Sequence, residues 1–151
     1  MPELAPGVIG QLIGRAMVAA QLHTRDGLED LAYRVAAQAR TNASTGHHAH
    51  GTPTPARPGT GPAIISGTLV TSITHTPPVT LGTDWMCRVG PQPGRYPPYD
   101  HHRRTASSIY GKYLETGLRN GTRYPWLEPA GRIGHVVAPV VFRAAFASRW
   151  L

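Results

Sequence analysis

The sequence predicts an α+β fold, with helices at both ends of the chain and strands between them. Apolar residues recur with helical spacing before residue 43 and again after residue 126. β-branched residues are concentrated between residues 64 and 90. With 151 residues, 40% of them hydrophobic, the chain is long enough to bury one core. We therefore predict a single domain spanning residues 1–151.

The best-defined helix is predicted from Asp26 to about Ala43. Its apolar positions follow one stripe at i, i+3, i+4, i+7, i+8 and i+11, namely Leu28, Leu31, Ala32, Val35, Ala36 and Ala39. Asp26, Glu29 and Asp30 would lie in its first turn, where the helix dipole favours anions. Arg40 would lie near its end, where the dipole favours cations.

A second helical pattern precedes this helix. Its apolar positions are Val8, Ile9, Leu12, Ile13, Ala16 and Met17. Gly7, Gly10 and Gly14 oppose a helix here, since each glycine costs roughly 1 kcal/mol relative to alanine. The sequence leaves open whether the two patterns form one long helix or two helices joined near residues 23–27.

Two long segments rich in glycine and proline are predicted to be flexible loops, residues 41–63 and residues 91–105. The first carries only one formal charge, Arg57, and no periodic pattern. We expect residues 41–63 to be disordered in the free subunit, because so little apolar surface cannot offset the entropy lost on ordering.

The strands are predicted within residues 64–90. The run "LVTSITH" (69–75) is rich in branched residues, and "DWMCRVG" (84–90) would pair with it. A further strand near Tyr113 is left open. Cys87 lies in an apolar run and is predicted to be a small buried side chain. Because it is the only cysteine, an intrachain disulfide and a cysteine-based zinc site are excluded.

The C-terminal segment predicts a second helix. One helical stripe contains its apolar residues Ile133, Val136, Val137, Val140, Val141 and Ala144. Pro129 fits the first turn of such a helix. Pro139 does not, and we expect it to kink or split the helix at a cost of about 3 kcal/mol.

The chain is strongly basic, with a net charge of +7 in which Lys112 is the only lysine. This balance indicates either nucleic acid or an acidic protein as partner, or only a genome that favours arginine codons, and both remain open. The candidate phosphate contact is "HHRR" (101–104), with Tyr96 and Tyr99 nearby. The sequence has neither a P-loop nor a dinucleotide-binding glycine motif.

Candidates for metal binding and catalysis are few. Histidines cluster at residues 47–50 (His47, His48 and His50) and again at His101 and His102, beside Asp100. Both clusters lie in the predicted flexible loops, which do not hold ligands in fixed geometry, so we expect no metal site. Glu115 could act as a general base, but the sequence places neither a nucleophile nor a second acid near it. We therefore interpret it as structural, either through a hydrogen bond or through an ion pair between subunits, and expect no enzymatic activity and no cofactor.

The start of the chain gives no indication of export. Glu3 stands where a signal peptide would be positively charged, and no apolar run reaches membrane-spanning length. We therefore expect a protein of a reducing cytoplasm that does not associate with membranes.

Three short segments carry recognisable motifs: "SGTLVTSI" (66–73), "YGKYLETG" (110–117) and "YPWLEPA" (124–130). Taken in order, they resemble the Thr-Gly-x-Leu-Arg-x-Ser-Ile, Tyr-Ala-x-Tyr-Val-Glu-x-Gly and Pro-Phe-Leu-x-Pro-Ala signatures of the small tail-completion, or head–tail connector, proteins of long-tailed bacteriophages. The residues that carry this resemblance are Ser66, Gly67, Leu69, Ser72, Ile73, Tyr110, Tyr113, Glu115, Gly117, Pro125, Trp126, Leu127, Pro129 and Ala130. Ser66 replaces the usual threonine, and Val70 replaces the usual arginine.

The resemblance implies a small antiparallel sheet packed by N-terminal and C-terminal helices, in a structural virion protein without catalysis. It implies a homo-oligomeric ring, expected to be six-fold, in the phage neck, where it completes the tail and joins it to the DNA-filled head. Its partners would be the connector or stopper, the tail terminator and the tail tube, with passing contact to genomic DNA. Such a chain is made in the host cytoplasm and ends in the virion.

The residues themselves agree with a docking and packing role. Aromatic rings beside prolines give rigid contacts of large area at little entropic cost. We therefore expect Tyr113 to bury its ring and Gly117 to adopt positive φ or a close backbone approach. The alternative function is a basic nucleic-acid-binding module that uses residues 101–104.

Overall fold

Four helices and four short strands make up the described part of the chain. The computed structural model describes residues 6–47, 56–64, 67–82, 84–92 and 107–147, and of residues 6–9 and 107–110 it describes the helical backbone alone. The elements are α1 (Pro6–Asn42), α2 (Thr68–Ser72), β1 (Ile73–His75), β2 (Val79–Leu81), β3 (Asp84–Met86), β4 (Val89–Pro91), α3 (Ser107–Thr116) and α4 (Leu127–Ala147). The prediction of an α+β fold with long helices towards both ends is confirmed.

Helix α1 is a single helix of 37 residues, about 55 Å long at 1.5 Å per residue. It resolves the question left open by the sequence, because the two helical patterns are continuous through residues 23–27. The acids expected in a first turn, from Asp26 to Asp30, lie in the middle of the helix, and that prediction is wrong. Arg40 lies in the last turn, as predicted.

The predicted apolar stripe of α1 supplies one wall of the core. Ala32, Ala36, Ala39 and Ala43 are buried, and Val35 packs partly buried beside them. Alanines on this face let the strands and the segment around Trp126 approach the helix backbone closely.

The strands form two small antiparallel sheets. Strand β1 pairs with β4, in register from Ile73↔Pro91 to His75↔Val89, and β2 pairs with β3, from Val79↔Met86 to Leu81↔Asp84. The predicted strand over residues 84–90 is therefore divided into two short strands that belong to different sheets.

The strand predicted over residues 69–75 is confirmed for Ile73–His75 and wrong for the residues before them. Residues 68–72 form helix α2, although threonine and valine favour strands. Their helical bonds are satisfied locally: Thr71 N–H donates to the Gly67 carbonyl at 3.0 Å, and the Ser72 hydroxyl donates to the Leu69 carbonyl at 2.7 Å. Strand propensity is a weak preference that such local bonds override. Near Tyr113 the chain is helical, in α3.

Cys87 lies between β3 and β4 and is half-buried rather than buried, so that prediction is wrong in degree. Its thiol donates to the Thr76 carbonyl at 2.9 Å. Burial raises the pKa of the Cys87 thiol, the Glu29 carboxylate raises it further, and a hydrogen bond with the Thr76 side chain lowers it.

Helices α1 and α4 pack antiparallel. A methyl group at Gly134 of α4 would collide with the Val35 side chain of α1, and one at Gly27 would lie 2.7 Å from the Phe142 ring. Further along, the rings of His23 and Phe146 lie 5.3 Å apart. At both glycines, therefore, a side chain of the other helix occupies the space that a methyl group would need.

The predicted stripe of α4 does not coincide with its buried face. The buried residues are Ala130, Gly134 and Val141, and only Val141 belongs to that stripe. Pro139 lies inside an unbroken helix, so the expectation of a split is wrong. Since Pro139 is exposed, water can solvate the carbonyl that it leaves unpaired.

The first predicted loop is packed at both of its ends. Ala43 and Ala56 are buried, and Gly46 forms a parallel bridge with Ala63. The expectation of disorder over residues 41–63 is therefore wrong for these ends. Residues 48–55 in its middle, and residues 93–105 of the second loop, lie outside the described residues.

Candidate functional site

The three motif segments converge at one place, which we call the junction: residues 67–73, 111–118 and 122–130. Its centre is formed by Trp126, which is 1% exposed, and Ile73, which is fully buried. Buried alanines of α1 close it from one side, and Leu114 and Tyr124 complete it. The segments lie far apart in the chain, so only the fold brings them together.

Trp126 is held by hydrogen bonds at both its ring and its backbone. The indole N–H donates to the Gly111 carbonyl at 3.0 Å, and the Asn42 side-chain amide donates to the Trp126 carbonyl at 3.0 Å. A methyl group at Gly111 would lie 3.0 Å from Leu69 and 3.3 Å from the indole. Glycine at this position lets the backbone of α3 approach the indole closely.

Glu115 caps helix α4 from the neighbouring helix α3. Its Oε2 accepts the backbone N–H groups of Trp126 at 2.8 Å and Leu127 at 2.9 Å, and its Oε1 accepts that of Glu128 at 2.7 Å. The first N–H groups of a helix have no partner within the helix, and its positive N-terminal dipole favours an anion. The interpretation of Glu115 as a structural hydrogen-bonding residue is confirmed. Both of its oxygens are engaged by these backbone N–H groups.

A tight turn after α3 carries the chain back to α4. Gly117 has φ of +126°, which confirms the expected positive φ. Leu118 N–H donates to the Thr122 carbonyl at 2.8 Å, and Tyr124 N–H donates to the Leu114 carbonyl at 2.8 Å. This turn sets the Glu115 carboxylate beneath the first turn of α4.

Tyr113 does not bury its ring. It is 50% exposed, whereas Gly111 and Leu114 are the buried residues in the part of α3 whose side chains are described. The expectation that Tyr113 packs in the core is therefore wrong, and Trp126 provides the large buried ring instead.

The other motif residues divide by burial. Ser72 and Ala130 are fully buried, while Leu69 and Leu127 pack partly buried against the core. The remaining partly buried residues are Gly67, Pro125 and Pro129. Pro129 lies in the first turn of α4, as predicted. Ser66 and the side chain of Tyr110 lie outside the described residues.

Sequence reasoning missed two residues that tie α1 to the junction. The Arg40 Nε donates to the Ile73 carbonyl at 2.8 Å, and Asn42 holds the Trp126 carbonyl as described above. Gln38 in turn donates to the Asn42 side-chain oxygen at 3.0 Å. The sequence offered one indication of these contacts, namely that Gln38, Arg40 and Asn42 are polar residues in the last turns of an alanine-rich helix. The partners of Arg40 and Asn42 are backbone carbonyls, which no residue pattern reveals.

The other predicted chemistry falls largely outside the described residues. His47 is exposed, whereas His48, His50 and residues 93–106, with the second histidine cluster and the basic run, are not described. Within the described ranges, no group of three histidine, cysteine or acidic side chains is arranged to hold a metal ion. Over the same ranges, no helix combines the length and the apolar character needed to cross a membrane.

The junction is thus a set of buried contacts and hydrogen bonds that lock α1, α2, α3 and the start of α4 together. Comparison of the chain with known protein families, with curated proteins and with solved structures finds no match.

Proposed function

We propose that this chain is a structural protein of a bacteriophage virion that forms a homo-oligomeric ring in the neck. The ring completes the tail and joins it to the DNA-filled head. Its partners are the connector or stopper, the tail terminator and the tail tube, and the expected ring symmetry is six-fold. The protein assembles in the host cytoplasm and carries out no catalysis.

One observation carries this proposal. The glutamate of the tyrosine motif, Glu115, caps the helix that opens at the Trp-Leu-Glu-Pro-Ala motif. This contact gives a physical reason for the two motifs to occur together and in this order. Since the motif residues serve packing and capping, the resemblance concerns a scaffold rather than a catalytic centre.

The exposed surface supports the same conclusion. Large apolar side chains on α1 and α4 face water, among them Met17 and Val136. Exposed apolar surface of this kind marks an interface with another macromolecule, as each subunit of a ring requires.

Deletion of the gene in the phage that encodes it tests the proposal. We expect separate heads and tails in electron micrographs, and joined particles when a plasmid supplies the wild-type chain. Mass spectrometry of purified particles should then detect the chain in the virion. Joined, infectious particles in the absence of the chain would refute the proposal.

The net charge of +7 supports a second candidate, a nucleic-acid-binding module. Phosphate-driven binding weakens steeply as salt rises. Titration of the purified chain with labelled duplex DNA at low and at physiological salt separates the two functions. Tight, salt-sensitive binding by a chain that never forms oligomers would favour the second candidate.

A further inference from the structure

The N-terminal half of α1 exposes its apolar residues. Residues 10–18 are all exposed, with Ile13 at 57% and Met17 at 61%. Arg15 is the only charged residue between positions 10 and 22. This part of the helix extends past His23, which lies beside Phe146 near the described end of α4.

Two glycines in this segment make no close packing contact with the described part of the subunit. Among the described residues, methyl groups placed at Gly10 and Gly14 would meet nothing within 4 Å, although glycine costs a helix roughly 1 kcal/mol relative to alanine. Gly10, Ile13, Gly14 and Met17 recur at i, i+3, i+4 and i+7, so they share one face. We call these four residues the α1 face. Elsewhere in α1, Gly27 lies where α4 packs closely against the helix.

A second apolar surface lies on α4, and we call it the α4 stripe: Ile133, Val136 and Val140. Val136 is 75% exposed and Val140 is 68% exposed. Ile133 also borders a groove of about 190 Å³ between α1 and α4, which Val35 and Gln38 help to line. The groove can accommodate a side chain of a molecule that binds to the α4 stripe.

The two surfaces lie at different places on the subunit. Gly134 packs against Val35, so the α4 stripe lies roughly 30 Å along α1 from Gly14, at 1.5 Å per residue. One subunit therefore cannot cover its own α1 face with its own α4 stripe.

We infer that the α1 face of one copy of this chain docks on the α4 stripe of the next copy. This inference rests on the proposed ring and assigns its subunit contact. Gly10 and Gly14 let the two helices approach closely, as Gly27 and Gly134 do within the subunit. A contact between two different surfaces is heterologous, and it closes into a ring when the rotation between copies allows.

The available area fits one interface of ordinary size. Judged from their exposed fractions, Ile13 and Met17 of the α1 face and the three residues of the α4 stripe present roughly 550 Å² together, about a third of the roughly 1,600 Å² that a standard interface buries. Since a little more than half of a typical interface is apolar, the two surfaces supply more than half of the apolar part of one contact. Two other occupants of the α1 face are less favourable. A contact between two α1 faces would leave the α4 stripe in water. Arg15 is the only cation between positions 10 and 22, so this segment has little attraction for an anionic membrane.

The test uses the full-length chain with Met17→Arg on the α1 face and Val136→Arg on the α4 stripe. Leu81→Arg is the control, since Leu81 is 65% exposed on β2, away from both surfaces. Oligomer mass is measured by sedimentation velocity from micromolar to millimolar concentration. Far-UV circular dichroism confirms that each variant is folded, as all three side chains are exposed.

We expect wild type and Leu81→Arg to form the same oligomer and each of the other variants to be monomeric. An equal mixture of Met17→Arg and Val136→Arg retains one intact α4 stripe and one intact α1 face, so it should form dimers that do not grow. If Val136→Arg alone keeps the wild-type mass, the contact is between α1 faces and the inference is wrong. Wild-type oligomers that survive both substitutions overturn this contact but leave the ring proposal standing. A wild-type chain that is monomeric throughout overturns the contact and self-assembly together.

Discussion

Replacement of Glu115 by alanine removes the carboxylate that joins the first turn of α4 to α3. Three backbone N–H groups lose an acceptor at 2.7–2.9 Å, those of Trp126, Leu127 and Glu128. The bonds to Trp126 and Leu127 are part-buried, so water replaces this acceptor incompletely. Glu128 is exposed, and water can hydrate its N–H.

The cost follows from these three bonds. Loss of a capping side chain costs about 1 kcal/mol, and loss of an anion at a helix N-terminus about 0.3–1 kcal/mol more. A part-buried N–H left without an acceptor adds about 1–3 kcal/mol. We therefore expect Glu115→Ala to lower the free energy of unfolding by about 3 kcal/mol. For a chain of this length, that corresponds to a decrease in Tm of roughly 6–12 °C.

Two further variants separate hydrogen bonding from charge. Glu115→Gln keeps one acceptor for the part-buried donors and turns its amide towards the N–H of Glu128, so we expect a loss of about 1–2 kcal/mol. Glu128→Gln is the matched control, because it removes the same charge at the same end of α4. Its ion pairs with Arg123 and Arg132 are exposed and contribute at most about 1 kcal/mol.

Urea unfolding followed by circular dichroism and tryptophan fluorescence measures these differences. An unchanged dependence of the unfolding free energy on urea concentration would show that the variants unfold from comparable native states. The explanation fails if Glu115→Ala costs no more than Glu128→Gln, since charge near the helix end would then account for the whole effect.

The remaining predictions concern the buried ring, the turn and the thiol. Trp126→Ala should cost about 3–5 kcal/mol in the same urea assay, and Tyr113→Ala less than about 1 kcal/mol, because only the first ring is buried; equal losses would contradict this. Gly117→Ala should cost about 1–2 kcal/mol, since φ of +126° is strained for alanine; a neutral result would mean that the turn relaxes. Because its surroundings raise the pKa of the Cys87 thiol, the fold favours the neutral thiol. That contribution is complete below the pKa of the unfolded thiol and is lost as pH rises through the raised pKa. The stability difference between wild type and Cys87→Ala should therefore shrink in alkaline buffer, and a difference that grows with pH would contradict the raised pKa.

The sequence predicts those features that local spacing controls. Alanines repeated at helical intervals identify the buried face of α1 between Ala32 and Ala39, since the period alone places them on one side. The positive φ of Gly117 follows from a glycine directly after a helical motif. A structural role for Glu115 follows from its isolation from other acids.

The contacts themselves could not be predicted, because most of them end on the backbone. The partners of Glu115 are three N–H groups, and those of Arg40 and Asn42 are carbonyls. Every residue carries such groups, so no residue type marks the partner. Helix α2 shows the same limit: local bonds to the carbonyls of Gly67 and Leu69 make a helix of residues that favour strands.

Helical periodicity has a further limit, which the exposed faces of α1 and α4 illustrate. A repeating apolar pattern indicates that a helix face is removed from water, but it does not identify the chain that covers it. The first turns of helix α4 turn the small residues Ala130 and Gly134 towards α1, whereas Val136 and Val140 face water. Small residues allow close packing of two helices within the subunit, whereas larger ones offer more area to a helix that arrives from outside. Under the subunit contact inferred above, the residues of the predicted α4 stripe that the subunit leaves exposed, Ile133, Val136 and Val140, are the ones that meet another copy.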